Sequence, residues 1–362
     1  SYIDERQGNK KLVLVIDEFP YLVKKNRALL SEFQHLIDHK LTSGKMFLIL
    51  SGSYMGFMEK EVLGSKSPLF GRRTAQLHMK PFTYQTSSKF MTGFSDEEKL
   101  MLYGAYGGTP LYLQQINEKE SFEENIKRTY LKVTSYLYEE ALLLLRQEVQ
   151  EPGVYSAIIE AIASGYTKAN EISTKIGEDS AKCLKYIKTL CELGILHKET
   201  PFGEKESSRK TIYDISDFMF RFWYRYVFAN RTLIETGAQQ VVWEKRIKPD
   251  YYSYMGLVFE KVCMDYLNLK NARGELPILY TSIGRWWGTN AATHGQEEID
   301  LIANDGKDYL FGECKWRNEK LDISVLKDLK AKADVFSMNR KNSYYVLFSK
   351  SGFTEAVLNE AR

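Results

Sequence analysis

The chain has 362 residues, of which 44% are hydrophobic and 27% are charged, proportions that are ordinary for globular proteins and a length that predicts two or three domains. Fifty Lys and Arg residues nearly balance 47 Asp and Glu residues, and the formal charge of +3 neither establishes nor excludes a nucleic-acid partner. The four cysteines are widely spaced, which argues against a disulfide scaffold or a zinc ribbon, and no apolar run is long enough to span a membrane. We therefore expect a cytoplasmic protein without a membrane partner.

The first part of the chain alternates strand-like and helix-like segments. Residues 11–16 (KLVLVI) and Met46–Leu50 are short aliphatic runs typical of buried strands, and residues 26–39 have apolar side chains at helical spacing. A strand, a helix and a second strand predict a parallel sheet with a right-handed crossover. Further along, Ser95 and Glu98 form a capping-box signature that begins a helix.

Two acidic residues follow the first aliphatic run. Asp17 would lie at the carboxyl end of a parallel strand, where open α/β sheets bind ligands, and could hold Mg²⁺ through water. Glu18 could polarise a water molecule for attack on a γ-phosphate. The alternative is a strand end with two solvated acids. The second aliphatic run leads into Ser51 and Ser53, which suit a sensor strand that places a polar group near the γ-phosphate.

The runs LVLVIDEFPYL, LILSGS, SPLFGRR and GGTPLYL resemble the P-loop ATPases of the AAA/STAND-related type found in archaea and many bacteria. This resemblance covers residues 11–116 and continues through the domain that follows. It implies that the protein uses ATP and Mg²⁺, with Asp17 as the magnesium-side acid and Glu18 as the catalytic base. It further implies a sensor, a phosphate-contacting arginine and a nucleotide-proximal turn, for which the matching residues are Ser51 or Ser53, Arg72 or Arg73, and Pro110.

One feature of that family is missing from the chain. The Gly-rich loop ending in Gly-Lys-Ser/Thr, which cradles the phosphates, has no counterpart, because Met46 follows Gly44-Lys45 and Asp308 follows Gly306-Lys307. In the family this loop precedes the strand that bears the aspartate. We expect it to lie upstream of Ser1, so that the full-length protein hydrolyses ATP and this chain alone binds ATP weakly. The alternative is an inactive ATPase.

The middle of the chain predicts a helical segment followed by a DNA-binding type of domain. Residues 119–152 are expected to form a helical lid or linker, unbroken up to residue 150. Three helix-like segments at 154–163, 168–176 and 179–193 each stop at a glycine, and strand-like segments follow at 195–199 and 210–215. This order is typical of a winged helix-turn-helix, to which we assign residues 153–236 together with an aromatic-rich helix at 217–227.

The third helix of this domain carries a row of lysines. Lys182, Lys185 and Lys188 recur every three residues, so they share one face, which suits phosphate contacts in a DNA groove. The alternatives are a solvated face, or a winged helix that contacts a protein partner or a second copy of the chain.

The last domain combines acidic residues with a lysine. After an expected linker at 237–255, residues 256–362 have the order helix, three strands, helix, strand. Alternation along the strands predicts that Glu298 and Asp300 oppose Ile299 and Leu301, and that Glu313 and Lys315 share a face.

A hairpin would place Asp300 beside Glu313 and Lys315, and Glu260 on the preceding helix could complete a metal shell. Asp300 and Glu313 would hold Mg²⁺, and Lys315 would orient or activate water for phosphodiester cleavage. The alternative is a charged pair on a solvated strand.

This order resembles the D…E-x-K core of the PD-(D/E)XK nucleases, and RWWG…EEIDLIA…GECKW resembles the domain of unknown function that follows these ATPases. The resemblance covers about residues 256–350 and implies catalytic roles for Glu260, Asp300, Glu313 and Lys315.

The sequence thus predicts an α/β protein with a partial P-loop NTPase sheet at 1–118, a winged helix and a nuclease-like α/β domain. We expect an ATP-binding, DNA-associated protein with an Mg²⁺-dependent nuclease-type domain. The alternatives are a non-catalytic nucleotide-controlled switch and a DNA-binding regulator that acts through the winged helix.

Overall fold

The computed structural model describes residues 11–39, 41, 46–52, 55–290, 293–336 and 339–361. The chain is a mixed α/β protein that divides into two compact units, residues 1–80 and residues 81–362. Within the described ranges, every helix is too short or too polar to cross a membrane.

The first unit is built on a two-stranded parallel sheet. Strand β1 (Leu12–Ile16) pairs with β2 (Met46–Leu50), as predicted, and helices α1 (Phe19–Lys25) and α2 (Leu29–His39) connect them. After β2 comes a short helix, α3 (Met55–Phe57), which continues as a π-helical turn over Met58–Val62. One face of the sheet packs against the apolar core of this unit, whereas alternate side chains on the other face are exposed: Val13, Val15, Phe47 and Ile49.

The second unit begins with a series of short helices. They are α4 (Tyr84–Ser87), α5 (Asp96–Tyr106), α6 (Pro110–Leu113), α7 (Phe122–Tyr130) and α8 (Glu140–Glu148). The predicted capping box is confirmed, because the Glu98 backbone N–H donates to the Ser95 hydroxyl and the Ser95 N–H donates to the Glu98 carboxylate. The turn before α6 requires glycine, since a Cβ at Gly108 would lie 1.9 Å from the Phe82 carbonyl oxygen.

The unbroken helix expected up to residue 150 was wrong, because α7 and α8 are separated by a non-helical segment at 131–139. The reason lies in the core. Within this segment Tyr138 turns its backbone carbonyl towards the buried indole of Trp223, whose Nε1 donates to it at 2.8 Å. A helical Tyr138 would direct that carbonyl along its own helix instead.

Three helices and a two-stranded antiparallel sheet follow, in the predicted order. The elements are α9 (Pro152–Ala163), α10 (Ala169–Ile176), α11 (Ser180–Glu192), β3 (Leu196–Glu199) and β4 (Ile212–Ile215). The aromatic-rich segment is a buried helix as predicted, with α12 (Phe218–Phe222) continuing as π-helical and 3₁₀ turns to Asn230.

The segment 237–255, which we expected to be a linker, is largely helical. After α13 (Arg231–Glu235), helix α14 (Gln239–Val242) continues through a π-helical turn into the 25-residue α15 (Lys248–Ala272). The buried side chains of Val242, Trp243 and Tyr251 join the same apolar core as α9 to α12, and this burial explains why the segment is ordered.

The last part is a four-stranded sheet with helices on both faces. Its strands are β5 (Ser282–Thr289), β6 (Gln296–Asn304), β7 (Tyr309–Lys315) and β8 (Ser343–Ser349), in that spatial order, antiparallel except for β7 and β8. One face packs against α15, and the other packs against α16 (Ile323–Val335). A short helix, α17 (Glu355–Glu360), follows β8.

Candidate functional site

The first group of predicted residues meets at the carboxyl ends of β1 and β2. The Ser51 hydroxyl donates a hydrogen bond to Asp17 Oδ1, and the Ser51 backbone N–H donates to the Ile16 carbonyl at 3.0 Å. The Phe19 N–H donates back to the Ser51 carbonyl at 2.9 Å. These backbone hydrogen bonds between the ends of the two parallel strands therefore hold the Asp17 and Ser51 side chains next to each other.

Glu18 adopts an unusual backbone conformation between β1 and α1. Its φ of 51° lies in the left-handed region, which a non-glycine residue adopts at a cost of about 1 kcal/mol or more. Residues with such backbone conformations cluster at active sites, ligand clamps and switch regions.

The remaining nucleotide-site candidates are placed differently. The Arg72 guanidinium makes a two-pronged pair with Asp38, at 2.8 and 2.9 Å, and also donates to two backbone carbonyls, so this arginine holds its own loop. Arg73 is exposed. Ser53 lies outside the described residues, and Pro110 begins α6 in the second unit.

The predicted lysine row lies on the exposed side of α11. Lys182, Lys185 and Lys188 are all exposed, while Cys183, Ile187 and Leu190 on the opposite side are buried. Lys182 is paired with Glu178 at 3.2 Å.

The second group of predicted residues lies around an irregularity in β6. Gly284 pairs with Ile302 and Trp286 pairs with Ile299, so β6 has one extra residue opposite Arg285. This β-bulge reverses the alternation. The prediction that Ile299 and Leu301 share a face was therefore wrong, since Ile299 packs on the α16 side and Leu301 on the α15 side. Asp300 lies at the bulge, and its carboxylate accepts the backbone N–H of Cys314 at 2.8 Å.

Glu313 and Lys315 share one face of β7, as predicted, and line an open cleft of about 440 Å³. The Lys315 ammonium donates to Glu313 Oε1 at 2.5 Å. A second lysine, Lys332 of α16, contacts both oxygens of the same carboxylate at 3.2 and 3.3 Å. Asn290, Glu297, Arg317 and Asp328 are further polar residues in the cleft lining.

Glu260 projects from α15 towards Arg285 of β5. Its Oε2 lies 3.6 Å from Arg285 Nε. The same guanidinium pairs with Glu199 of β3 at 3.2 Å and with Glu298 of β6. Neither Glu260 nor Asp300 is part of the cleft lining.

The charges of these residues act on one another. Burial and the Asp300 charge raise the pKa of Glu260 to about 8, although the Arg285 charge partly offsets the shift. Burial and the Glu313 charge raise the pKa of Asp300 to about 6, against the N–H donated by Cys314. Burial alone would lower the pKa of Lys315, but its hydrogen bond to Glu313 and the nearby Asp300 and Glu260 charges raise it. The four predicted residues thus form one electrostatic cluster.

The donor set fits a hard divalent cation only in part. Carboxylate oxygens are the ligands that Mg²⁺ prefers, and one or two of them with water molecules suffice. Burial and neighbouring acids raise the pKa of Asp300 and of Glu260 despite the cations beside them, so a bound divalent cation would favour the ionised form of both acids. Among the described residues, however, no three His, Cys, Asp or Glu side chains are already arranged to hold a metal ion. Asp300 and Glu313 therefore fit a two-carboxylate site rather than a preformed cage.

Cys314 lies between Glu313 and Lys315 in sequence but faces the opposite side of the sheet. It is buried against Cys263 of α15, and this side-chain contact together with burial raises its thiol pKa. Cys314 is thus a packing residue, as the alternation of β7 predicts.

Two charged residues of the site were missed by sequence reasoning. Lys332 lies three residues after Leu329 and next to Ala333, both buried, so a charge on the apolar side of a helix was the available signal. Arg285 begins the RWWG run, but its three glutamate partners come from β3, α15 and β6, which no local pattern brings together.

Comparison with known proteins gives two family matches. Residues 2–116 match a family described as an ATPase domain predominantly from Archaea. Residues 223–331 match a family described as archaeal and bacterial proteins of unknown function. The first match covers the unit that contains Asp17 and Ser51, and the second covers Glu260, Asp300, Glu313 and Lys315.

Two proteins of Methanocaldococcus jannaschii are similar to the chain. The uncharacterized protein MJECL04 is 36% identical over 345 residues, which cover 94% of this chain and 76% of the relative. The uncharacterized protein MJ0424 is 42% identical over 52 residues, which cover 14% of this chain and 50% of the relative. The chain therefore belongs to the same family as MJECL04 and is an ATPase-type protein of the archaeal and bacterial kind.

Proposed function

We propose that this ATPase-type protein associates with DNA and that its C-terminal domain is a Mg²⁺-dependent nuclease-type site. The observation that carries the proposal is the single electrostatic cluster formed by Glu260, Asp300, Glu313 and Lys315. They come from three elements and have the order and residue types of a D…E-x-K nuclease core.

Each residue has a defined part in this proposal. Asp300 and Glu313 would hold the cation, with Glu260 as an additional acid, and the bound Mg²⁺ would polarise a phosphodiester and supply hydroxide. Lys315 orients the attacking water, and Lys332 keeps the Glu313 carboxylate in place from the other side. The open cleft between β7 and α16 leaves room for a phosphate backbone beside these lysines.

The other parts of the chain fit the same proposal. In the first unit, Asp17 would hold Mg²⁺ of bound ATP, Glu18 would act as the base for hydrolysis, and Ser51 would sense the γ-phosphate. Helices α9 to α11 with the β3–β4 hairpin would form a winged helix whose Lys182, Lys185 and Lys188 contact DNA phosphates. The same domain could instead join a protein partner or a second copy of the chain.

A second candidate function is a non-catalytic switch or DNA-binding regulator. It is favoured by one observation: the acids already have internal cations, since Glu313 pairs with two lysines and Glu260 with Arg285. A domain that only binds DNA under nucleotide control would keep such pairs permanently.

Cleavage of supercoiled plasmid by the full-length protein with Mg²⁺, with and without ATP, separates the two candidates. The wild type should cleave, and Glu313→Gln and Lys315→Ala should each reduce cleavage about 100-fold or more. Lys327→Ala is the matched control, because Lys327 is exposed on α16 and is not part of the cleft lining. Absence of cleavage by wild type under every nucleotide condition would eliminate the nuclease proposal and favour the regulator.

A further inference from the structure

The loop of the β3–β4 hairpin is docked on the four-stranded sheet. The Phe202 N–H donates to the Arg285 carbonyl at 2.7 Å. The Phe202 ring packs against the Phe336 ring, with 6.2 Å between the ring centroids. At the other end of the loop, Trp287 Nε1 donates to the Lys210 carbonyl at 3.2 Å. The hairpin therefore contacts β5 directly, at the residue whose side chain reaches the candidate site.

The Arg285 side chain contacts both the hairpin and the candidate site. Its Nη1 donates to Glu199 of the hairpin at 3.2 Å, and its Nη2 donates to Glu298 on the neighbouring strand. Its Nε faces Glu260 at 3.6 Å. The Arg285 side chain is 19% exposed, and Glu199 and Glu260 are similarly shielded, so these two contacts form in a region of reduced solvent screening, whereas Glu298 is 49% exposed.

The contact with Glu260 is the weakest of the three. Arg285 Nε is buried and has no hydrogen-bond partner among the described residues, so its contact with Glu260 is made without a hydrogen bond. Glu199 and Glu298 each accept a hydrogen bond as well. A cation that binds Glu260 can therefore displace the guanidinium from it without breaking a hydrogen bond.

We infer that Arg285 is a positioning residue that couples docking of the β3–β4 hairpin to divalent-cation binding at the acidic site. Glu199 and a bound cation favour the same arrangement of Arg285. Glu199 draws the guanidinium away from Glu260, and the cation takes the place of the guanidinium beside Glu260. A cation bound at Glu260 in turn frees the Arg285 guanidinium to pair with Glu199. This pairing strengthens the docking of the hairpin, as thermodynamic linkage requires. The inference rests on the proposed metal site and adds its regulation by the hairpin.

The test measures Mn²⁺ binding by calorimetry, without nucleotide, and counts only binding that Asp300→Asn abolishes. We expect Arg285→Gln to raise the affinity and Glu199→Gln to lower it, each about fivefold. Because removing any nearby charge shifts cation affinity in these directions, the double variant is decisive. Glu199→Gln should have no effect when Arg285 is already Gln. Glu206→Gln, an exposed change of equal charge on the same loop, is the matched control.

Hydrogen exchange of the Phe202 amide gives a second readout that a purely structural role would not change. Mn²⁺ should slow this exchange in the wild type and leave it unchanged in Arg285→Gln. If Arg285→Gln does not fold, the exchange comparison with Glu199→Gln decides the question, because Mn²⁺ should leave the Phe202 amide unchanged in that variant too. Equal effects of Glu199→Gln with and without Arg285, or Mn²⁺ binding without altered exchange, overturn the coupling alone. Absence of any Asp300-dependent Mn²⁺ binding overturns the proposed metal site together with the coupling.

Discussion

Two carboxyl groups in the candidate site have a protonation behaviour that ordinary surface acids lack. Glu260 is 20% exposed and Asp300 is 7% exposed, and each lies within the field of another acid. Burial and repulsion both favour the neutral form, which raises the pKa values to about 8 and about 6. Near neutral pH Glu260 therefore retains a proton that a bound cation would displace.

These raised pKa values predict that the second unit loses stability as the pH rises. In the unfolded chain both groups release their protons near pH 4, whereas in the folded protein they keep them up to about pH 6 and pH 8. The folded state then binds more protons, so the free energy of unfolding falls between about pH 4 and pH 8. We expect Glu260→Gln to flatten this dependence and to raise the melting temperature at pH 8.5 relative to wild type, with little change at pH 4.5.

Thermal melts at the two pH values measure this effect, and Glu275→Gln is the control. Its exposed carboxyl has a pKa that the Lys270 hydrogen bond lowers, so it cannot contribute to a loss of stability above pH 5. A parallel pH dependence in wild type and Glu260→Gln would contradict the prediction.

How far the site could be predicted depends on the distance over which each contact forms. Asp300, Glu313 and Lys315 were found because a short hairpin and the period of a strand bring them together locally. Arg285 was missed because its partners come from elements far apart in sequence. The bulge in β6 was also invisible, since alternation assumes a regular ladder and nothing in EEIDLIA indicates the extra residue.

At the scale of elements, the β3–β4 hairpin and helix α11 are used differently, although both were assigned to one DNA-binding domain. The hairpin loop is engaged by the sheet through Phe202 and Lys210. Helix α11 presents its lysines to solvent instead. The helix is therefore the element of this domain best placed to meet a phosphate backbone.

DNA binding through α11 predicts a specific loss of salt sensitivity. In the double variant Lys185→Ala, Lys188→Ala, the slope of log affinity against log salt should fall by about 2, because each phosphate contact contributes about 0.9. Fluorescence anisotropy of a short labelled duplex between 50 and 200 mM salt, roughly the range over which such contacts are resolved, measures it. Lys182→Ala is the comparison, and its smaller effect follows from the pairing of Lys182 with Glu178. A slope that the double variant leaves unchanged would exclude α11 as the DNA contact.

The sequence predicted most elements of the second unit but not their continuity. Glycines after α9, α10 and α11 mark helix ends that the structure confirms. The break at 131–139 contains neither Gly nor Pro and depends on the indole of Trp223, which is distant in sequence. We likewise predicted a linker at 237–255, where the structure has a helical stretch that begins at Gln239 and ends at Ala272. The burial of this stretch comes from packing against other helices, which a local pattern does not show.

At the scale of the whole molecule, helix α15 links two apolar cores within residues 81–362. Its first half places Tyr251, Tyr254, Met255 and Val258 in the core shared with α9 to α12. Its second half places Cys263 and Leu267 against the four-stranded sheet. Because one continuous helix supports both cores, disrupting either half should destabilise both.

A core substitution in the first half of α15 should therefore unfold the distant sheet as well. Met255 is fully buried, so Met255→Ala should cost about 2 to 5 kcal/mol. Hydrogen exchange read out by mass spectrometry should show equal losses of protection in α9 to α11 and in β6 and β7, because both regions would open in one cooperative transition. Leu257→Ala, on the exposed side of the same helix, should cost much less, since its side chain is 38% exposed. Loss of protection confined to α9 to α11 would show instead that the sheet is a separate folding unit and that α15 transmits no stability to the acidic site.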